Sequence, residues 1–223
     1  TADGNAPNGR LLRIDVRTKT VTALASGFAF PNAIAEDDHG RLYVSDSALG
    51  TINRIAQDGS QNTLWDSDPL FLTNGFPPVG INDLAFDRTG EFLYATNTGD
   101  SRVLRIPVRR DGSAGAVQIF ADGATLDQVQ NTTDALHGVD GLAFDVEGNL
   151  YVAANQVGEV QVLSPQGRLV ARYAGSGPTA LDFPATLLFQ GDDLFLTNAS
   201  LFDGGVNSKI LVLETPRPGL PLR

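Results

Sequence analysis

Four stretches of this chain repeat one another, and the repeat limits the fold more than any other feature. "FPNAIAEDDHGRLYVSDSALGTINRI" (30–55), "GINDLAFDRTGEFLYATNTGDSRVLRI" (80–106) and "GVDGLAFDVEGNLYVAANQVGEVQVL" (138–163) align along their length. "FPATLLFQGDDLFLTNASLFDGGVNSKILVL" (183–213) follows them more loosely. Successive units are offset by 50, 58 and 45 positions, close to the period of propeller blades. Each unit runs from a short apolar strand into an Asp/Gly turn, then a second strand ("LYVS", "LYAT", "LYVA", "LFLT"), a polar turn, a third strand and usually a fourth. The turn residues supply backbone angles that most side chains resist. Period-2 alternation in "EVQVLS" and "RVLRIPV" fits half-buried strands.

The expected fold class is therefore all-β: a β-propeller of four-stranded antiparallel blades, in one domain spanning 1–223. A half blade is expected at 9–27, blades at about 31–65, 81–120, 139–173 and 183–214, and a Pro-rich tail at 215–223. About seventeen strands can be counted, against roughly 24 in six four-stranded blades. An open propeller would expose unpaired strand edges. The native protein is accordingly expected to be six-bladed, with an N-terminal part absent from this sequence; five-bladed closure is the alternative.

Composition narrows the partners. Glycine and proline are plentiful (24 and 12 of 223 residues), as turn-rich β structure requires, and the hydrophobic content of 42% supports one sizeable core. A net charge of −10 argues against nucleic acid, because phosphate contacts need clustered Lys and Arg. No apolar run approaches the ~18 residues needed to span a membrane, so neither partner is expected. The absence of cysteine excludes disulfides and thiolate metal sites. There is no methionine, even at position 1, so a lost signal peptide cannot be judged. Asn131-Thr132-Thr133 and Asn198-Ala199-Ser200 fit a glycosylation pattern that arises often by chance. A secreted or periplasmic location is marginally preferred to a cytoplasmic one, and no motif decides it.

The polar residues fall at one repeated position. Five residues before the first turn acid, at the head of each innermost strand, stand Asn32, Asn82 and Asp140, with Ala185 in the fourth unit. Innermost strands surround the channel of a propeller, so these side chains should converge on one mouth. Amide and carboxylate oxygens without His or Cys suit a hard divalent cation. Asn and Asp also cap strand starts, and the repeat alone leaves both readings open. His137, three residues before Asp140, is a candidate base or substrate contact, or else a plain loop histidine. His39 belongs to a turn on the opposite face. Asp46, Asn97, Asn155 and Asn198 end every second strand, which favours a turn-forming role. The connection at 66–80 is apolar and could wall a pocket or plug the space beneath it, and that at 122–138 could hold a short helix.

"PNAIAEDDHGRLYVSDS", "VDGLAFDVEGNLYVAANQVGEVQVLSPQGRLV" and "LFLTNAS" resemble the regucalcin/gluconolactonase/luciferin-regenerating family, best over 30–200. The resemblance implies a six-bladed propeller with one divalent cation at the channel mouth, calcium ahead of magnesium, manganese or zinc. It places Asn82 and Asp140 as metal ligands and Asn32 on the substrate side. A first-blade Glu ligand would lie upstream of Thr1, and "GIND" departs from the family's usual Asn-Gly pair. The implied activity is metal-dependent hydrolysis of a lactone or sugar-derived small molecule, with Asp140 as ligand and general base and His137 as a second candidate base. The alternatives are a non-catalytic NHL-like binding propeller and a strictosidine-synthase-like or lyase enzyme on the same scaffold.

Overall fold

The computed structural model describes residues 7–201, 204–206 and 208–221. Four antiparallel sheets of three or four strands stand as the blades of a β-propeller, preceded by a two-stranded sheet. The leading pair is β1 (Gly9–Asp15) and β2 (Thr20–Phe28). The first blade comprises β3 (Pro31–Glu36), β4 (Leu42–Asp46), β5 (Thr51–Ile55) and β6 (Asn62–Ser67). The second holds β7 (Ile81–Phe86), β8 (Phe92–Asn97), β9 (Arg102–Pro107) and β10 (Gln118–Asp122). The third holds β11 (Val139–Phe144), β12 (Leu150–Ala154), β13 (Glu159–Leu163) and β14 (Leu169–Tyr173). The fourth has three strands among the described residues: β15 (Pro184–Gln190), β16 (Asp193–Asn198) and β17 (Lys209–Glu214). Strands pair in chain order within each blade, and β3, β7, β11 and β15 lie side by side as the innermost set.

The repeated letters pack blade against blade. The tyrosine of each "LY" meets the phenylalanine that closes the next innermost strand: Tyr43 with Phe86, Tyr94 with Phe144 and Tyr151 with Phe189. Their centroids are 5.1, 4.9 and 5.1 Å apart, in edge-to-face geometry. One large aromatic pair thus fills each blade boundary. The turn acids serve the backbone. Asp37 accepts from the N–H groups of His39 and Arg41, and Asp145 from those of Glu147 and Asn149. His39 is exposed at its turn.

Two connections add to the scaffold. In 66–80, Phe71 is wholly buried among the residues between the first two blades, while Phe76 is exposed. In 122–138 a helix, α1 (Gly123–Gln130), is capped by Asp122, whose carboxylate accepts from Thr125 N–H at 2.9 Å. The Pro-rich tail runs back under the channel. Val146 N–H donates to Pro218 C=O, and Leu220 N–H to Phe144 C=O at 2.8 Å. Leu220 and Pro221 thereby line a cavity of about 410 Å³ enclosed by the innermost strands.

Candidate functional site

Each innermost strand carries a β-bulge at its head. The register slips between Pro31 and Ile34, Ile81 and Leu84, Val139 and Leu142, and Pro184 and Leu187. In each case two residues leave the ladder together: Asn32-Ala33, Asn82-Asp83, Asp140-Gly141 and Ala185-Thr186. A bulge frees a strand residue from pairing and re-aims its side chain. That is how the repeated position comes to face the mouth.

At three of the four bulges a freed backbone N–H is satisfied by a hydroxyl on the second strand. Ser45 Oγ accepts from Ala33 N–H at 3.0 Å and donates to Asn82 C=O at 2.6 Å. Thr96 Oγ1 accepts from Asp83 N–H at 2.9 Å and donates to Asp140 C=O at 2.8 Å. Thr197 Oγ1 accepts from Thr186 N–H at 2.9 Å. Two of these hydroxyls therefore tie one blade's bulge to the next blade's.

Asn82 and Asp140, 58 positions apart, meet directly: Asn82 Nδ2 donates to Asp140 Oδ1 at 2.8 Å and to Thr98 Oγ1 at 2.9 Å. Asn155 Nδ2 reaches the other oxygen, Oδ2, at 3.3 Å. Burial pushes the Asp140 carboxyl up to about 7. The Asn155 hydrogen bond opposes that rise, the charge of Asp83 adds to it, and the Asn82 hydrogen bond again opposes it. Gly141 follows because a Cβ there would stand 2.2 Å from Ala185 C=O.

Asn32 is exposed at the same mouth, with Nδ2 donating to Ser47 Oγ at 3.1 Å. Ser47 Oγ donates in turn to Ile81 C=O at 2.5 Å, linking that position to the strand of Asn82. His137 sits further out. Its ring is half exposed, with Nδ1 at 4.0 Å from Asp134 Oδ1, and no hydrogen bond joins it to Asp140 among the described residues.

Of the acids and amides that end the second strands, three bind local backbone. Asp46 accepts from Ala29, Phe30, Ala48 and Leu49 N–H. Asn97 bonds the carbonyls of Leu70 and Leu72, and Asn198 accepts from Asp182 N–H. Asn155 is the exception, and grouping it with the turn formers is corrected by its contact to Asp140. Asp83 is the other residue that the repeat did not single out. Its carboxylate accepts from Leu84 and Leu142 N–H, at 2.9 and 2.8 Å, and lines the channel cavity. Burial pushes its carboxyl up to about 6, against the lowering effect of those two N–H groups.

The donor set fits a hard cation. The carboxylate of Asp140 and the amide of Asn82 meet with no nitrogen or sulfur ligand between them, and Asn32 is linked to the Asn82 strand through Ser47. The amide hydrogens of Asn32 and Asn82 are directed at Ser47, Thr98 and Asp140, and among the described residues no donor engages either amide oxygen. Asp140, half-buried with no cationic side chain acting on it among the described residues, is a carboxylate whose ionised form a divalent ion would stabilise.

The sequence profile of the SMP-30/gluconolactonase/LRE-like region matches residues 77–200, more than half of the chain. The chain belongs to this family. Solved structures similar to it include a putative gluconolactonase, 21% identical over 95% of this chain and 69% of that one, with a TM-score of 0.68. A regucalcin from Agrobacterium tumefaciens, described as a calcium-binding protein, is 20% identical over 96% and 74%, with a TM-score of 0.67. A luciferin-regenerating enzyme is 17% identical over 91% and 69%, also at 0.67. At these identities the likeness is one of fold. No curated protein sequence matches the chain.

Proposed function

We propose that the chain carries the site of a metal-dependent lactone hydrolase, with Asn82 and Asp140 as ligands of one divalent cation and Asn32 as a substrate contact. The observation that carries this reading is the Asn82–Asp140 contact across a blade boundary, at bulges that turn both side chains to the mouth. Membership of a family that includes gluconolactonase-like proteins supports the reaction class, and the calcium-binding regucalcin supports calcium as the ion.

When bound, such an ion supplies Lewis-acid polarisation of a lactone carbonyl and acidification of a nearby water. The remaining chemistry belongs to the chain. Asp140, a carboxylate held between two amides, would take a proton from an adjacent water as general base. Asn155 and Asn82 hold its two oxygens in orientation. Asn32, exposed at the head of its own innermost strand, would offer an amide to hydroxyls of a sugar-derived substrate. His137 lies at the rim, where it would serve as a substrate-side contact or as an alternative base.

Asp140→Asn keeps the size of the side chain and removes its charge and basicity. Calorimetric titration with calcium and a gluconolactone hydrolysis assay should both show a loss, of at least about 100-fold in rate. Hydrolysis that survives this change rules out the assigned mechanism.

A further inference from the structure

Asp83 is an acid where the other three blades carry Ala33, Gly141 and Thr186 at the same bulge position. It is bound to the Asp140 segment from two sides. Its Oδ2 accepts from Leu142 N–H at 2.8 Å, two residues past Asp140. Its own N–H donates to Thr96 Oγ1, which donates onward to Asp140 C=O. The loop so formed spans the blade boundary and holds the Asp140-Gly141 bulge at Asp140 and at Leu142, the first residue back on the ladder. Among the described residues no Lys, Arg or His pairs with the Asp83 carboxylate.

We infer that Asp83 is a positioning residue of the cation site, resting on the assignment of Asn82 and Asp140 as ligands. It fixes the strand that presents Asp140 and supplies a second negative charge behind it. Its two oxygens accept from Leu84 and Leu142 N–H, so the part assigned to it is to hold the strand rather than the ion. A doubly charged ion facing one carboxylate and neutral amides is under-compensated, and an adjacent outer carboxylate corrects that without taking a coordination position. The arrangement also accounts for an acid in an unpaired, largely buried place. Without a cation nearby, such a charge is a cost to the fold.

Calcium titration calorimetry on the full chain, alongside thermal unfolding in chelator, tests this with wild type, Asp83→Asn, Asp83→Ala and Asp140→Asn. Asp83→Asn keeps an oxygen for Leu142 N–H but loses the charge. It should bind calcium about 10- to 100-fold more weakly while its unfolding midpoint in chelator stays unchanged or rises. Asp83→Ala should lose at least as much affinity. Wild-type affinity in both variants overturns the inference, as does a weakened Asp83→Asn whose midpoint falls in parallel, which marks a purely structural residue. A wild type that binds no calcium removes the ligand assignment and this inference together. Binding abolished by Asp140→Asn but untouched at Asp83 removes this inference alone.

Discussion

Asp37 shows how a turn acid contributes to stability away from the site. Its carboxylate accepts from His39 N–H, Arg41 N–H, the Arg41 guanidinium at 2.7 Å and Tyr43 Oη–H. Burial opposes its ionisation, yet the Arg41 backbone and side chain together with His39 N–H outweigh that and hold its carboxyl below the ordinary 3.8. A folded-state pKa below the unfolded one means that this stabilisation is present above about pH 4 and fades as pH falls through the folded value. Asp37→Asn should therefore cost about 1–3 kcal/mol near neutral pH. In denaturant titrations its stability curve should converge with wild type as pH falls below the ordinary carboxylate range. At this scale the repeat put Asn32, Asn82 and Asp140 at one strand position, where the structure has a bulge, because the turn acid sets the count along each strand. It misled at Asn155, which shares its repeat position with three backbone-bonding residues. Close to it is Gly138, at φ +67°, where a Cβ would lie 2.2 Å from Asn155 Oδ1. The glycine leaves room for the side chain to turn toward Asp140.

Among elements, the four bulges and the hydroxyls that serve them do most to shape the mouth. Thr96 is wholly buried and bridges Asp83 N–H to Asp140 C=O, so its loss strands two polar backbone groups. Thr96→Val should destabilise by about 1–3 kcal/mol in urea unfolding, and Thr96→Ser should recover most of it. The signal for this role was in plain view: "LYVS", "LYAT" and "LFLT" close on Ser45, Thr96 and Thr197, and only "LYVA" lacks a hydroxyl. Strand periodicity reads such residues as alternating polar positions, and a bulge becomes visible only when pairing partners are known. The tyrosine–phenylalanine pairs were equally repeated in the sequence. Their partners lie in the following blade, however, at a distance along the chain that periodicity within one strand cannot supply.

Over the whole molecule, the outermost sheets keep apolar faces toward solvent. Leu12, Ile14 and Val21 are exposed on the leading pair, and Leu188, Ile210 and Val212 on the last blade. Contiguous apolar surface of this kind binds hydrophobic dyes and promotes association. Replacing Ile14 and Ile210 with Thr should lower dye fluorescence and light scattering while moving unfolding by no more than about 0.5 kcal/mol per site, since neither side chain is buried. Dye binding that stays at the wild-type level would locate the accessible apolar surface elsewhere. By itself the sequence determined the blade rhythm, the all-β class and the shared repeat position of Asn32, Asn82 and Asp140, because alternation, turn chemistry and repetition are local properties of a chain. Tertiary structure alone decided that Asn82 touches Asp140, that Asn155 joins them, and that Asp83 binds the strand of its neighbour. Those contacts join residues from separate blades or opposite ends of a strand pair, and they exist only once the blades pack and the bulges turn their side chains inward.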